Sequence, residues 1–364
     1  MNRIILVGNG FDLAHGVKTS YNDFINWYFE QLKKSLSCYN YSNYEDGFCK
    51  LQLNFEICGI SSWRNFIYPN KATIFNMGVN GFLEYLKYHE KKQDIDTKYT
   101  PLFNRICLSL STKGWVDIES DYYELLKECP GHHHSLVVEL QDQLYFLQEK
   151  LVEYLLDIQK SNEINNGLIG GIRDKIYEPI RKCDLTIDAE PEFLEMQLRN
   201  RLVPEEVLIL DFNYTNTTSM YGNSVIHIHG KLDDPKSIIF GYGDELDEYY
   251  KKLSNLNDNR YLTNIKSIRY LENSNYRNLL RFINAAPYQI YIMGHSCGNS
   301  DRTLLNTLFE HENCVSIRPF YYKKDDEHDN YSEITQNISR NFTDMQSFRD
   351  KVVDKTRCEP MPQL

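Results

Sequence analysis

The apolar positions of this chain alternate between short continuous runs and helical spacing, which is typical of an α/β protein. A run of four apolar residues at 4–7 leads directly into Gly8 and Gly10, the pattern of a buried parallel strand that ends in a tight loop. We therefore expect one Rossmann-type parallel sheet built from residues 1–36 and 200–320. The later strands are expected in the apolar runs at 207–212, 224–229, 237–240, 289–293 and 314–317.

Between the outermost strands the apolar residues recur with a spacing of three and four, which favours helices. The expected domain organisation is an α/β core (1–36 and 200–322), a large and mainly helical insertion (37–199) and a C-terminal helical segment (323–364). The helices are expected from residue 20 to about 36, at 78–91, at 117–128, at 135–160 and within 163–200.

Composition and charge narrow the function classes. The 364 residues are 41% hydrophobic, enough to bury a large core, and a net charge of -11 weighs against nucleic acid as a partner. The longest apolar runs fall short of the roughly 18 residues of a membrane span, and a signal-peptide pattern is absent. The nine cysteines form no CxxC pair. These features predict a reduced, cytoplasmic protein without a membrane segment.

Polar residues follow four of the predicted strands. Parallel sheets bind ligands beyond the carboxyl ends of their strands, so these residues are expected to meet at one edge. Glycine in such a loop lets backbone N–H groups approach a phosphate, and the arrangement therefore predicts a nucleotide site. The segments are Gly8-Asn9-Gly10-Phe11-Asp12, Asp211-Phe212-Asn213-Tyr214-Thr215, His227-Ile228-His229-Gly230 and Gly294-His295-Ser296-Cys297-Gly298-Asn299-Ser300-Asp301.

These motifs have other interpretations. The glycine loop could be a strand-to-helix turn without a ligand. His227 and His229 share one face of their predicted strand, but a third ligand is missing, and we predict no metal. The histidines at 132–134 are expected in an exposed loop. Leu13 stands where the dinucleotide fingerprint needs a third small residue, which argues against a dehydrogenase.

Five motifs occur in a fixed order along the chain: Gly8-Asn9-Gly10-Phe11-Asp12-Leu13-Ala14-His15-Gly16, Trp115-Val116-Asp117-Ile118-Glu119, Phe212-Asn213-Tyr214-Thr215-Asn216-Thr217, His227-Ile228-His229-Gly230, and Gly294-His295-Ser296 with Gly298, Ser300 and Asp301. Their combination resembles the bacterial AbiH family of phage abortive-infection proteins over essentially the whole chain. The resemblance implies an anti-phage effector that responds to an unknown phage-derived trigger.

The same motifs are similar to a remote version of the SIR2 (sirtuin) pattern, in which a glycine-rich loop binds NAD. The four-cysteine zinc module of deacylating sirtuins is absent, so the resemblance implies hydrolysis of NAD rather than deacylation. The matching positions are Gly8, Gly10, Asp12 and Gly16 for the loop, Asn213 for the catalytic Asn, His229-Gly230 for the catalytic His, and Gly294-His295-Ser296 for the adenosine end.

The SIR2-like pattern assigns roles to individual residues. His229 is expected to act as general base, and Asn213 to orient water or the ribose. Two other functions stay open: a nucleotide-binding sensor without catalysis, and a phosphoesterase or nuclease. A homo-oligomer is also compatible with the sequence. The residues expected to bind the dinucleotide are Gly8, Asn9, Gly10, Phe11, Asp12, His15, His227, Gly294, His295, Ser296 and Asp301.

Overall fold

The computed structural model describes residues 1–113, 117–130, 135–161 and 166–363. Trp115 and Val116, and the histidines at 132–134, lie outside the described residues. In the described chain the strands are β1 (Asn2–Val7), β2 (Asn43–Glu45), β3 (Cys49–Leu53), β4 (Ile95–Tyr99), β5 (Val207–Asp211), β6 (Val225–His227), β7 (Tyr288–Met293) and β8 (Cys314–Phe320).

Helices occupy most of the remaining chain, as the apolar spacing predicts. The expected helices at 78–91, 117–128 and 135–160 are confirmed, and Asp117 caps the second of them by accepting a hydrogen bond from the Ser120 nitrogen (3.1 Å). The helices are α1 (Asn9–Ala14), α2 (Tyr21–Cys38), α3 (Phe55–Cys58), α4 (Trp63–Ile67), α5 (Lys71–Asn76), α6 (Val79–Lys91), α7 (Pro101–Lys113), α8 (Ile118–Glu128), α9 (Ser135–Ser161), α10 (Ile169–Ile176), α11 (Glu190–Leu198), α12 (Glu248–Ser254), α13 (Lys266–Arg269), α14 (Asn275–Ala285), α15 (Arg302–Glu310), α16 (Tyr331–Arg340) and α17 (Met345–Lys351).

The chain divides into two compact units. Unit 1 consists of Met1–Thr19 and Leu155–Leu364, and unit 2 consists of Ser20–Tyr154. The domain limits proposed from the sequence stay predictions. Across the described ranges, no helix combines the length and the apolar character that crossing a bilayer requires.

Unit 1 contains a five-stranded parallel sheet in the order β6-β5-β1-β7-β8. Strands from both ends of the chain therefore form one sheet, as expected. Val7 of the central strand lies level with Asp211 of β5 and Met293 of β7. This register brings the loops that follow β1, β5 and β7 to the same edge. Apolar residues cover both faces of the sheet, so its central strands are buried on both sides.

The prediction of a strand at 237–240 is wrong. Residues 238–240 are buried but form irregular chain outside any strand. They follow β6 by only about ten residues, too few for the crossover that would return the chain to a parallel sheet. Backbone contact replaces strand pairing here, since the Ile239 nitrogen donates to the His229 oxygen (2.9 Å).

Unit 2 has its own small sheet and an aromatic core. The sheet is antiparallel, in the order β2-β3-β4, and was not expected from the sequence. Buried and exposed residues alternate along β3, which is the period of a half-buried strand. Phe48 and Phe103 stack with their ring centroids 4.6 Å apart, and Tyr28 packs edge-on against both.

Candidate functional site

The glycines at the edge of the sheet allow two loops to pack backbone against backbone. The Gly10 nitrogen donates a hydrogen bond to the Gly294 oxygen (2.8 Å). A Cβ on Gly294, whose φ is +76°, would lie 2.1 Å from the Phe11 nitrogen. A Cβ on Gly8 would lie 2.7 Å from the His295 Cα. The loops after β1 and β7 therefore meet as predicted. Close contacts between these loops explain why the three positions are glycine.

Two buried carboxyl groups follow β1 and β5, and we call Asp12, Asp211, Thr215 and Thr218 the aspartate cluster. The Thr215 hydroxyl donates to Asp12 Oδ2 (2.6 Å), whereas Asp12 Oδ1 is buried without a hydrogen-bond partner. Burial raises the pKa of Asp12 to about 6, although the bond from Thr215 opposes this shift. Asp12 can therefore exchange a proton near neutral pH.

Asp211 is completely buried beside His227. The Thr218 hydroxyl donates to Asp211 Oδ2 (2.6 Å), and His227 Nδ1 lies 3.5 Å from the same oxygen. Burial raises the pKa of Asp211 well above its usual range, and the nearby Asp12 adds to this. Burial also lowers the pKa of His227, whose side chain is 19% exposed. His227 is thus a neutral imidazole within reach of solvent.

Asn213 links the aspartate cluster to the glycine loop. Its Nδ2 donates to the Gly8 oxygen (2.9 Å), and its backbone nitrogen donates to Asp211 Oδ1 (2.8 Å). Asn213 is half-buried, and Asn9 on the same loop is exposed. The structure therefore brings together Gly8, Asn213, Asp12 and His227 among the predicted site residues.

His229 belongs to a different group of side chains, which we call the lysine–histidine cluster: Lys266, Asp301, His229 and His295. Asp301 Oδ1 lies 2.9 Å from Lys266 Nζ and 3.1 Å from His229 Nε2. His295 Nε2 lies 3.8 Å from Asp301 Oδ2. His229 Nε2 also lies 3.1 Å from the Tyr270 hydroxyl. His227 and His229, two residues apart, thus contact different carboxylates.

The lysine–histidine cluster is a buried ion pair flanked by neutral imidazoles. Burial lowers the pKa of His295 to about 4, and burial and Lys266 lower that of His229. Burial alone would raise the pKa of Asp301, but Lys266 and the two histidines hold it well below its usual range. Both histidines are almost inaccessible to solvent. With Lys266 and Asp301 charged and both histidines neutral, the cluster forms part of the core of unit 1.

Three further predicted residues lie apart from both clusters. Phe11 is buried in an apolar core on one face of the sheet. His15 is 1% exposed, and its ring nitrogens contact the Phe11 oxygen and the Tyr221 hydroxyl. Ser296 is exposed, and its backbone oxygen accepts a hydrogen bond from Asn337 Nδ2 (2.9 Å).

Some residues of the two clusters, and Tyr270 beside the lysine–histidine cluster, were not among the predicted site residues. Asp211 ends β5, and Thr215 and Thr218 follow it, so their position at a strand end is a signal that the sequence contains. Lys266 and Tyr270 lie in a polar stretch without such a signal. Only the folded chain brings them next to Asp301 and His229.

Comparison with known families shows to which family the chain belongs. A family model described as bacteriophage abortive infection AbiH matches residues 4–323. The chain belongs to the AbiH family. Neither a curated protein nor a solved structure matches it. Membership makes this a bacteriophage abortive infection protein, as its motifs imply.

The matched span of this AbiH protein includes every residue of the aspartate cluster and of the lysine–histidine cluster. Among its described residues, no three His, Cys, Asp or Glu side chains are grouped so that they could hold a metal ion. The aspartate cluster offers carboxyl and hydroxyl groups for chemistry, and its neighbours His227 and Asn213 add an imidazole and an amide.

Proposed function

We propose that this AbiH protein acts in phage defence by hydrolysing NAD with a SIR2-like site at the carboxyl ends of β1, β5 and β6. The observation that carries the proposal is the grouping of Asn213 and His227 around the buried aspartate cluster. Polar groups at that edge of a parallel sheet lie where such sheets bind nucleotides. Loss of NAD would stop an infected cell from supporting the phage.

Asn213 is suited to orient the reacting groups. Its amide is fixed by the Gly8 oxygen and adds no charge. Cleavage of the nicotinamide–ribose bond passes through a cationic, oxocarbenium-like state, so a rigidly oriented water or ribose hydroxyl lowers the barrier. Asn213 would supply that orientation.

His227 is a better proton acceptor in this proposal than His229. It is neutral and partly exposed, and its Nδ1 lies 3.5 Å from both Asp211 Oδ2 and the Asn213 oxygen, which leaves Nε2 for a water molecule. His229 Nε2 instead faces Asp301 and Tyr270. A protonated His227 would favour the ionised form of Asp211, so that the pair can accommodate the proton. The proposed roles are therefore Asn213 for orientation and His227 for proton transfer.

The reaction balances without any further reagent. The water oxygen forms a bond to C1′ of the ribose, and the bond from C1′ to the nicotinamide nitrogen breaks. The electron pair of that bond stays on the ring nitrogen, and nicotinamide leaves as a neutral molecule. The proton lost by water goes to His227. The raised pKa of Asp211 favours its neutral form, which lowers repulsion of the diphosphate.

Release of nicotinamide from NAD tests the proposal. We expect turnover by the purified protein, or by the protein in extracts of phage-infected cells, and a loss of at least about 100-fold in Asn213→Ala and His227→Ala. His328→Ala, which removes an exposed histidine elsewhere in unit 1, is the matched control and should keep full activity. Unchanged turnover in His227→Ala would contradict the assigned proton acceptor.

A nucleotide-binding sensor is the second candidate. The observation that favours it is the burial of His229, the catalytic His of the SIR2-like pattern, whose Nε2 already contacts Asp301 and Tyr270. The same assay distinguishes the candidates. NAD binding without nicotinamide release, in infected extracts as well, would support the sensor. Metal-dependent loss of nucleic acid with intact NAD would instead support a phosphoesterase or nuclease.

A further inference from the structure

Helix α11 of unit 1 is apolar on two opposite faces. Phe193 and Met196 on its inner face are buried in a small core with Met1, Ala189 and Val315. Helices that are apolar on both sides are normally buried on both sides. The outer face of α11 therefore needs an explanation.

The outer face of α11 and the turn before it carry three large apolar side chains in contact with solvent. Leu194 is 56% exposed and Leu198 is 80% exposed, and they lie one helical turn apart. Ile187 lies in the short 3-10 turn just before the helix and is 84% exposed. We call these three residues the α11 stripe. A group of exposed large apolar side chains is typical of a surface that another protein covers.

Charges beside the α11 stripe are self-complementary. Glu190 begins α11 and Glu195 lies in its second half, and Arg199 and Arg201 follow its end. All four are exposed. An antiparallel copy of the segment would place its arginines opposite these glutamates, and a twofold axis repeats each such pair. The present partners of Glu190 and Glu195 are exposed Lys182 and Arg199, and such surface pairs exchange at little cost.

We propose that the α11 stripe binds the α11 stripe of a second copy of this chain in an antiparallel, twofold-symmetric dimer. Leu194 of each copy packs against Leu198 of the other, and Glu190 and Glu195 of each copy face Arg201 and Arg199 of its partner. A stable dimer buries about 800 Å² on each subunit. The stripe forms the apolar centre of that interface.

The oligomeric state of the full chain tests this proposal. We expect the wild-type protein to sediment as a dimer, and the double variant Leu194→Gln/Leu198→Gln to raise the dissociation constant at least about tenfold. Leu271→Gln is the matched control, because Leu271 is 75% exposed but lies outside α11. It should leave the dimer unchanged. A wild-type monomer at all concentrations, or a dimer that the double variant does not weaken, overturns the proposal.

Charge reversal tests the antiparallel orientation. The variants Glu190→Lys/Glu195→Lys and Arg199→Glu/Arg201→Glu each place like charges across the interface and should be monomeric alone. Mixed together, they restore every opposite-charge pair and should form a heterodimer. Because only exposed side chains change, each variant should keep the circular dichroism spectrum of the wild type. Failure of the mixture to associate would overturn the antiparallel arrangement.

Discussion

Gly294 and Gly16 both have positive φ angles, but their surroundings differ. A Cβ on Gly294 would lie 2.1 Å from the Phe11 nitrogen, whereas a Cβ on Gly16 would meet nothing within 4 Å. We expect Gly294→Ala to lower the free energy of unfolding by at least about 3 kcal/mol, from strain and overlap together. Gly16→Ala should cost only about 1 kcal/mol, from the left-handed backbone alone.

Urea unfolding of both glycine variants measures this difference. Gly16→Ala is the control, because it shares the backbone conformation of Gly294 without the close contact. Equal losses would show that conformation alone determines the cost. The packing of the two loops would then not be the reason for glycine at position 294.

Asp12 should make the protein less stable as the pH rises. Its pKa is about 6 in the folded chain and near 3.8 when unfolded, so the folded state binds the proton more tightly. Between these values only the unfolded carboxyl ionises, and the free energy of unfolding falls by up to about 3 kcal/mol. Asp12→Asn should remove this contribution. The free energy of unfolding of both proteins, measured at about pH 4 and about pH 7, tests this.

The control for Asp12→Asn is Asp188→Asn, which removes an exposed carboxyl group of unit 1. It should retain the wild-type dependence of stability on pH. Asp211 is buried in the same cluster, and its raised pKa acts in the same direction. A steeper fall of stability with pH in Asp12→Asn than in the wild type would contradict the assigned proton.

At the scale of elements, continuous apolar runs predicted the sheet of unit 1 well. The runs at 207–212, 289–293 and 314–317 became β5, β7 and β8, because buried parallel strands are apolar on both faces. The run at 237–240 has the same composition but too short a connection to join the sheet. Periodicity alone cannot separate these cases, since the length of the connection decides between them.

The candidate site was predictable where it depends on strand ends. Gly8, Asn213 and Asp12 meet because neighbouring parallel strands end at the same edge. The separation of His227 from His229 was not predictable, because it depends on Asp301 and Lys266 from later parts of the chain. Two histidines in one short segment therefore take different partners.

The ion pair between Lys266 and Asp301 joins α13 to the turn before α15. Both side chains are buried, so removal of one charge leaves the other without compensation. We expect Lys266→Met to cost about 3–5 kcal/mol and Lys266→Met/Asp301→Asn to cost less than the single variant. Lys150→Met, which breaks an exposed pair with Glu153, should cost under about 1 kcal/mol. Thermal unfolding measures all three, and a double variant that loses as much stability as Lys266→Met, or more, would refute the coupling.

Family membership and the proposed chemistry depend on different parts of the chain. The matched span, residues 4–323, contains all of unit 2 and, apart from the first two residues of β1, the sheet of unit 1. Abortive infection is therefore a property assigned to a chain with both units. The proposed hydrolysis of NAD depends on a few side chains of unit 1, and its test does not depend on the family assignment.

The two units should unfold in separable steps, because each buries a core of its own. Phe103 of unit 2 is fully buried and stacks on Phe48, so Phe103→Ala should cost about 3–5 kcal/mol in that unit. Calorimetry of the full chain should then show one transition at a lower temperature and the other unchanged. Gly294→Ala should lower the temperature of the other transition, the one that Phe103→Ala leaves unchanged. A single transition that both variants lower equally would mean that the units unfold as one.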